Sequence, residues 1–107
     1  MEELTKFQRD LMFVMASVDG QKGLEIKERL EQFYDTEIHH GRLYPNLDDL
    51  TERGYVEKGT LDDRSNSYNL TQQGEDAIEA LQEWQDRMLA GDVQDLRPDT
   101  EPEQEAE

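Results

Sequence analysis

Residues 41–50 combine a regular apolar pattern with side chains that can form hydrogen bonds to base edges. Leu43, Leu47 and Leu50 recur at intervals of four and three residues, which predicts a helix with one buried side. Arginine pairs with guanine, asparagine pairs with adenine, and both also bind phosphate. Tyrosine can contact a phosphate or a thymine methyl, and glycine lets a backbone approach DNA closely. The candidate DNA contacts of this segment are Gly41, Arg42, Tyr44 and Asn46.

The helical spacing also predicts which of these residues faces outward. Arg42 and Pro45 lie opposite the leucines, with Gly41 on the same side. Tyr44 and Asn46 lie on the flanks, where Tyr44 can equally be partly core and Asn46 can be merely exposed. The pattern therefore favours a reading face centred on Gly41, Arg42 and Pro45.

A second polar group lies in a turn-rich stretch after this helix. Arg64, Ser65 and Asn66 fall between two short β-prone runs, 55–59 and 67–70, which predict a hairpin. At the tip of a hairpin, an arginine suits contact with the DNA backbone or the minor groove. The alternative is that Arg64 is a solvated turn residue.

His39 and His40 precede the helix and raise the question of a metal site. Neighbouring residues on a helix diverge by about 100°, so the two rings would chelate a common ion poorly. Contact with DNA or a place at the start of the helix is the favoured interpretation, and we expect neither a metal nor another cofactor. The stretch from Ile38 to His40 lacks the serine or threonine that commonly caps a helix.

The chain has no cysteine, which excludes disulfides, thiolate zinc sites and thiol redox sensing. Its many carboxylates are spread over polar helix faces, as on a solvated acidic surface. The sequence shows no phosphate-binding glycine loop and no nucleophile paired with a base. We therefore do not expect an enzyme.

The charge of the chain is strongly acidic, with 11 lysines and arginines against 27 aspartates and glutamates and a formal net charge of −16. Such a charge is typical either of a protein that avoids nucleic acid or of one that stays soluble in concentrated salt. Residues 1–74 carry nine basic and fifteen acidic residues, whereas residues 75–107 carry two and twelve. Because most of the excess lies outside the DNA-reading segment, the sequence favours salt adaptation. At molar salt the Debye length is only about 3 Å, which screens repulsion from phosphates.

Several acidic residues nevertheless lie close to the expected DNA surface. Inorganic cations would have to bridge their carboxylates and the phosphates, so DNA binding should depend weakly on salt or strengthen with it. The residues concerned are Asp48, Asp49, Glu52, Asp62 and Asp63.

Two amphipathic helices are predicted before the reading segment. The first begins at Leu4 or Thr5, and it is so apolar that we expect its own core and a second subunit to bury it on two sides. The second begins near Gly23. Their apolar positions are Phe7, Leu11, Val14, Met15 and Val18 in the first and Ile26, Leu30, Phe33 and Tyr34 in the second.

The third helix, which carries the reading segment, is predicted to start between Ile38 and Gly41 and to stop at Gly54. Proline lacks an N–H and clashes with the preceding turn, so Pro45 is expected to be tolerable only near the helix start.

The fourth helix follows Thr71, a favourable N-cap residue. Its apolar residues are spaced 4-3-4, as in a coiled-coil seam, which favours packing against the first helix of a second copy of the chain. The predicted interface of this homodimer comprises Ala77, Leu81, Trp84 and Met88 with Leu4, Phe7 and Leu11.

The order of elements predicts a mainly α fold with a small β-hairpin wing, a winged helix-turn-helix followed by a C-terminal dimerisation helix. The predicted parts are a DNA-binding domain at 1–74, the dimerisation helix at 75–91 and an acidic disordered tail at 92–107. No apolar run could span a membrane, and the acidic N-terminus is unlike a signal peptide. We therefore expect a cytoplasmic protein without a membrane partner.

Residues 41–74 resemble the PadR-like transcriptional regulators. The segment GRLYPNLDDL at 41–50 is similar to their recognition helix, G-x-L-Y-P-x-L-x-x-L. Gly54-Tyr55-Val56 is similar to the helix stop and first wing strand of the family. Arg64 and the segment YNLTQQG at 68–74 are similar to the wing arginine and the entry to the last helix.

The resemblance implies a dimeric winged-helix repressor that binds a palindromic operator in double-stranded DNA, with the first and last helices forming the dimer. It also implies a small-molecule effector held between these helices. Trp84 is the candidate effector contact, and a plain dimer-core position is its alternative. The acidity makes the chain similar to halophilic archaeal members. The chain departs from larger members because one short helix replaces their effector-binding domain.

A protein-interaction module without DNA binding is the alternative function. A winged helix can lose its DNA contacts and keep a surface for protein partners, and the net charge supports this interpretation. Arg42, Tyr44, Asn46 and Arg64 argue against it.

Overall fold

The computed structural model of the protein describes residues 3–17, 21–62 and 65–91. Predictions that concern residues 18–20, Asp63, Arg64 and residues 92–107 lie outside these ranges. So do those that concern the side chains of Asp62 and Ser65.

Apart from an additional short strand before the second helix, the helices and strands follow one another in the predicted order. The helices are α1 (Lys6–Ser17), α2 (Gly23–Tyr34), α3 (His40–Glu52) and α4 (Gln72–Leu89). The strands are β1 (Gln21–Lys22), β2 (Val56–Asp62) and β3 (Ser65–Leu70). This arrangement confirms the mainly α winged helix-turn-helix with a hairpin wing and a C-terminal helix. Within the described ranges, no helix is both long and apolar enough to cross a membrane.

The start of α1 is closed by two reciprocal hydrogen bonds. The Gln8 backbone N–H donates to the Thr5 hydroxyl over 3.1 Å, and the Thr5 N–H donates to the Gln8 side-chain oxygen over 3.2 Å. This capping box satisfies N–H groups that a helix start leaves without partners. α1 therefore begins directly after Thr5, one of its two predicted starts, and the buried Gln8 side chain is fixed in place.

A hydrophobic core joins the helices to the hairpin. α1, α2 and α3 supply most of the buried side chains, together with Ile38 between α2 and α3 and Ile78 of α4. Tyr55, Val56 and Tyr68 close the core from the hairpin side. Each fully buried aliphatic side chain contributes about 1.5–3 kcal/mol relative to exposure. The largest fully buried side chains are Leu11, Met12, Ile26, Leu30, Ile38, Leu43, Leu47 and Leu50.

The predicted apolar pattern of α2 is wrong in its last turn, because Phe33 is 71% exposed. Tyr34 takes the inward position instead. Its ring centre lies 6.2 Å from that of Phe7, and its hydroxyl donates to the Asp10 carboxylate over 2.6 Å. Because adjacent residues of a helix point about 100° apart, only one of the two aromatic residues faces the core.

Pro45 lies in the second turn of α3, so the expectation that it must sit at the helix start is wrong. Pro45 and Gly41, whose carbonyl would accept the missing hydrogen bond, are both exposed. Water can therefore reach the carbonyl, and the helix continues. The three predicted leucines of α3 are all buried. The chain leaves the helix through Gly54, whose φ of +88° strongly favours glycine.

The sheet has the strand order β1-β3-β2, and both pairings are antiparallel. In the hairpin Val56 lies opposite Leu70, and Thr60 lies opposite Asn66, so the strands extend further into the polar stretch than the sequence predicts. The sequence does not predict β1 either, because its two residues are polar and it is defined by backbone pairing with β3.

Thr71 caps α4, as predicted. Its hydroxyl accepts a hydrogen bond from the Gly74 N–H over 3.1 Å and donates to the Gly54 carbonyl over 2.6 Å. Gly74 packs directly against the hairpin, since a Cβ on it would lie 2.2 Å from the Tyr55 carbonyl oxygen. Glycine alone lets α4 start this close to the wing.

Candidate nucleic-acid interface

The outward stripe of α3 consists of Gly41, Pro45, Asp48 and Glu52, which recur at helical spacing and are all exposed. A Cβ added to Gly41 would meet open space. Pro45 has no N–H to donate to the Gly41 carbonyl, so this oxygen and the Asp48 carboxylate give the stripe hydrogen-bond acceptors.

Arg42 lies beside this stripe, on the side of α3 that faces α1, which corrects its predicted outward position. The central carbon of its guanidinium group is 4.0 Å from the centre of the Phe7 ring. The residue as a whole remains exposed. A stacked guanidinium group uses its flat face, and its N–H edge can still meet acceptors.

Asn46 lies one turn after Arg42 and is half-buried. Its side-chain N–H donates to the Arg42 carbonyl over 2.7 Å. This bond uses one of two amide hydrogens, so the amide retains a donor and an acceptor that suit a base edge. Asn46 is therefore neither merely exposed nor fully committed to the fold.

Tyr44 occupies the opposite flank and is half-buried, as one of its alternative interpretations predicts. Its hydroxyl oxygen and Cε1 both lie 2.8 Å from the point where Gly23 would carry a Cβ. The ring of His40 meets it edge-on at 5.6 Å between centres. The tyrosine thus lies between the start of α2 and the start of its own helix.

His39 caps α3 through its backbone. Its carbonyl accepts from the Arg42 and Leu43 N–H groups over 3.0 and 3.1 Å, and its side chain makes no capping hydrogen bond. Both histidines are exposed. In the part of the chain that the structure describes, no three histidine, cysteine or acidic residues come close enough together to hold a metal ion.

Polar contacts fix the α1-facing side of α3, and we call Gln8, Asp49 and Arg53 the α1–α3 anchor. The Gln8 side-chain N–H donates to the Asp49 carboxylate over 2.7 Å, and the same carboxylate lies 3.2 Å from Arg53 Nε. Arg53 also donates to the Glu3 carbonyl over 3.2 Å. Gln8 is only 3% exposed. Arg53 and Gln8 thus already contact the Asp49 carboxylate, and the expected bridging cation at this residue stays a prediction.

Lys58 is a candidate contact that the sequence prediction misses. Its Nζ lies 3.9 Å from an Asp48 carboxylate oxygen and 5.9 Å from the centre of the Tyr68 ring, and its side chain is 41% exposed. Burial, and then the charge of Asp48, raise the pKa of the Tyr68 hydroxyl, which stays a neutral phenol beside the lysine. The available sequence signal was a lysine in a wing strand of a chain with few lysines.

The predicted contacts of the wing tip are only partly described. Asn66 is exposed and lies opposite Thr60, and the Ser65 backbone lies opposite Asp62. Arg64 and the Ser65 side chain lie outside the description, so their DNA contacts stay predictions.

The N-terminal residues of the predicted dimer interface differ in exposure. Phe7 and Leu11 are 5% and 0% exposed and belong to the core of their own chain. Leu4 is half-buried and packs against that core. An interface on α1 therefore has to use residues other than Phe7 and Leu11.

The α4 residues of the predicted interface are more accessible. Ala77 packs against the core, whereas Leu81 and Met88 are half-buried. Trp84 is 46% exposed and Leu89 is 89% exposed. The last two turns of α4 thus present large apolar side chains to solvent.

A groove of about 510 Å³ lies between α1, α2 and α4. Phe13 and the exposed Phe33 supply apolar walls, and Arg29 and Asp10 supply charges of opposite sign. Trp84, the predicted effector contact, is not among the residues that line this groove.

Known proteins share both the sequence pattern and the fold. The model of the transcriptional regulator PadR-like family matches residues 12–80. A structure of the RosR-S1 complex is 46% identical, with 85% of this chain and 78% of that chain covered and a TM-score of 0.76. RosR of H. salinarum, from crystals grown with NaBr, is 39% identical, with 89% and 98% covered and a TM-score of 0.75.

A more distant structure shows the fold alone. F93 from STIV, a winged-helix DNA-binding protein, is 17% identical, with 82% of this chain and 96% of that chain covered and a TM-score of 0.69. A sequence comparison with curated proteins gives no match.

Proposed function

We propose, from the premise that this chain belongs to the PadR-like family of transcriptional regulators, that it represses transcription as a salt-adapted homodimer on a palindromic operator. The chain is related to RosR and is a DNA-binding regulator, which confirms that it is not an enzyme. The exposed outward stripe of α3, with open space at Gly41, is the observation that carries the proposal.

In the proposed complex, α3 enters the major groove with its N-terminal half. Gly41 permits close approach of the backbone. Arg42 and Asn46 supply donors along one edge of the helix, and Tyr44 supplies its hydroxyl along the other. The Gly41 carbonyl, an acceptor of the stripe, suits the amino groups that cytosine and adenine present in this groove.

The wing contacts the sugar-phosphate backbone in this proposal. The ion pair between Lys58 and Asp48 is long, at 3.9 Å, and both side chains are partly exposed. The Lys58 ammonium can therefore leave Asp48 and bind a phosphate instead. Asn66, with the predicted contacts Arg64 and Ser65, extends this surface towards the hairpin tip. Such contacts position the protein on DNA without reading sequence.

Two copies pair through the C-terminal half of α4. The support is the exposure of Trp84 and Leu89. A partner that covers large apolar side chains removes them from water, which lowers the free energy of the dimer. Pairing there would set two α3 helices about 34 Å apart, one turn of DNA, which is the spacing that a palindrome requires.

Salt adaptation is supported by where the acidic residues lie. Asp48 and Glu52 are exposed on the outward stripe, so they would approach phosphates when α3 lies in the groove. Bridging cations would then be taken up on binding and would offset the counterions that DNA releases. Operator affinity should therefore fall little, or rise, as salt increases.

A small-molecule effector would fit the groove between α1, α2 and α4. A ligand between Phe13 and Phe33 would change the angle at which α4 leaves the rest of the chain. That angle sets the distance between the two reading helices, so ligand binding would alter operator affinity.

The first experiment measures binding of the purified dimer to DNA from its own promoter at about 0.1 M and about 2 M potassium chloride. A scrambled duplex of the same length is the control. Specific binding that persists at the higher concentration is the expected result. A steep loss of affinity with salt would contradict the salt-adaptation part of the proposal.

The same experiment also tests the alternative function. A folded dimer that binds no specific DNA at either salt concentration would favour a protein-interaction module, which the net charge of −16 supports. Substituting Arg42 and Arg64 by alanine sharpens the distinction, since a DNA regulator should lose operator binding and remain a dimer.

A further inference from the structure

The ring of Tyr44 leaves no room for a side chain on Gly23, the first residue of α2. A Cβ there would lie 2.8 Å from the tyrosine hydroxyl oxygen and 2.8 Å from Cε1. Favourable contacts between such atoms need about 3.5 Å or more. Gly23 is itself buried, so the tyrosine ring fills the space that a side chain would take.

The backbone does not explain why this position is a glycine. Among the described glycines, positive φ angles occur only at Gly54 and Gly91, so Gly23 has a conformation that other residues adopt. Glycine is also a poor helix former compared with alanine. The contact with Tyr44 is therefore the physical reason for glycine at the start of α2.

The backbone at Gly23 is held firmly. The preceding residues form β1, in which Lys22 pairs with Ser67 of β3, and the Lys22 N–H donates to the Glu25 carboxylate over 3.1 Å. On its other side Tyr44 meets the ring of His40. The tyrosine therefore rests on a surface that the sheet fixes in place.

We propose that Gly23 is a positioning residue for DNA recognition. Because it has no side chain, it leaves the space in which the Tyr44 ring packs, and this packing orients the tyrosine. This inference rests on the proposed function, in which Tyr44 contacts DNA. An alanine at position 23 would collide with the far end of a side chain that can swing aside. The substitution should therefore displace the tyrosine hydroxyl and weaken operator binding without unfolding the protein.

A double-mutant cycle tests the inference. Gly23→Ala should lower operator affinity about tenfold in the parent protein, within the usual range for residues in direct contact. In a Tyr44→Ala background the same substitution should change affinity less than about twofold, since there is no ring to displace. Equal losses in both backgrounds, or no loss in the parent, would overturn the inference.

A second measurement needs no DNA. The ring signals of Tyr44 in an NMR spectrum of the isotope-labelled full chain should shift in Gly23→Ala. Gly41→Ala is the matched control, because it adds the same methyl group where it meets open space. An unshifted Tyr44 ring in Gly23→Ala would overturn the inference. If the parent protein binds no operator, the proposed function fails, and the ring signals still decide whether Gly23 positions Tyr44.

Discussion

The side of α3 that faces α1 and the side that faces outward differ in how far the chain uses its own hydrogen-bonding groups. On the first side, Asp49 accepts from Gln8 and pairs with Arg53. On the second, Gly41 and Pro45 are exposed, and proline offers no N–H to the glycine carbonyl. One side therefore fixes the helix, and the other keeps groups that a ligand can use.

This difference separates residues that hold the reading helix from residues that would touch DNA. Substitutions on the buried and anchored sides should lower the free energy of unfolding. Substitutions on the outward stripe and its flanks should change operator affinity at nearly constant stability.

The largest effect is expected in the core beneath the stripe. Leu47→Ala should lower the free energy of unfolding by about 2–5 kcal/mol, because a fully buried side chain leaves a cavity. Its neighbour Asp48→Ala, on the outward stripe, should change it by no more than about 0.5 kcal/mol. Denaturant unfolding of both variants checks this, and similar losses would contradict the separation.

The α1–α3 anchor should show the next largest effect. Gln8→Ala should cost about 1–3 kcal/mol of stability, because it removes a buried side chain that donates to the Asp49 carboxylate and accepts from the Thr5 N–H. Gln82→Ala is the matched control, since this exposed glutamine donates its hydrogen bond to Asp86 one turn away on the same helix, and it should cost less than about 0.5 kcal/mol. Thermal unfolding of the two variants should therefore separate them clearly.

Arg42→Ala should act on binding instead. We expect operator affinity to fall by an amount equivalent to about 1–3 kcal/mol if the guanidinium edge meets a base. Stability should change less than in Gln8→Ala, because Arg42 is itself exposed and a cation–π contact of an exposed side chain contributes only about 0.5–1 kcal/mol. Titration of operator DNA with each variant measures the first effect. A variant that binds normally would remove Arg42 from the DNA surface.

Glu31 makes the entry to α3 sensitive to acid. The Ile38 N–H, donating over 2.8 Å, and then the Lys27 ammonium lower the pKa of the Glu31 carboxyl below its ordinary value of 4.5. A carboxyl with a lowered folded-state pKa stabilises the fold above its unfolded pKa and loses that contribution as pH falls through the folded value. Stability should therefore decrease below about pH 4.5.

In the variant Glu31→Gln, the free energy of unfolding should fall less steeply at acid pH than in the parent protein. Glu28→Gln, at an exposed position on the same helix, is the control and should lose stability at acid pH as the parent protein does. Urea unfolding at a series of pH values measures both. If Glu31→Gln loses as much stability at acid pH as the parent protein, another carboxylate is responsible.

The smallest effect is a gain. Gly41→Ala should raise the free energy of unfolding by up to about 1 kcal/mol, because alanine favours the helix and its methyl group meets open space. If the stripe approaches bases closely, the same variant should bind operator less well. Higher stability with unchanged binding would place the DNA elsewhere.

Periodic and local features of the molecule could be predicted from the sequence. The leucine spacing of α3 identifies its buried side, and Thr71, a favourable N-cap residue, identifies the start of α4, because both depend on neighbours within one or two helical turns. The pattern of α2 is wrong at Phe33, since periodicity alone does not decide which of two adjacent aromatic residues faces inward.

Long-range contacts of the candidate site could not be predicted in this way. Gln8 and Asp49 are 41 positions apart and unremarkable in type, so nothing local indicates their hydrogen bond. The stacking of Arg42 on Phe7 likewise depends on how two helices cross. The packing of Tyr44 against Gly23 leaves only one trace in the sequence, a glycine where a helix begins.

The close approach of Gly74 to the Tyr55 carbonyl has a mechanical consequence for α4. This helix has 18 residues and is about 27 Å long, so it acts as a lever arm whose pivot is set by one glycine. A rotation of about 5° at the pivot would move the far end, near Leu89, by about 2 Å. A dimer interface at that end would therefore be displaced by small rotations of α4 beside the wing.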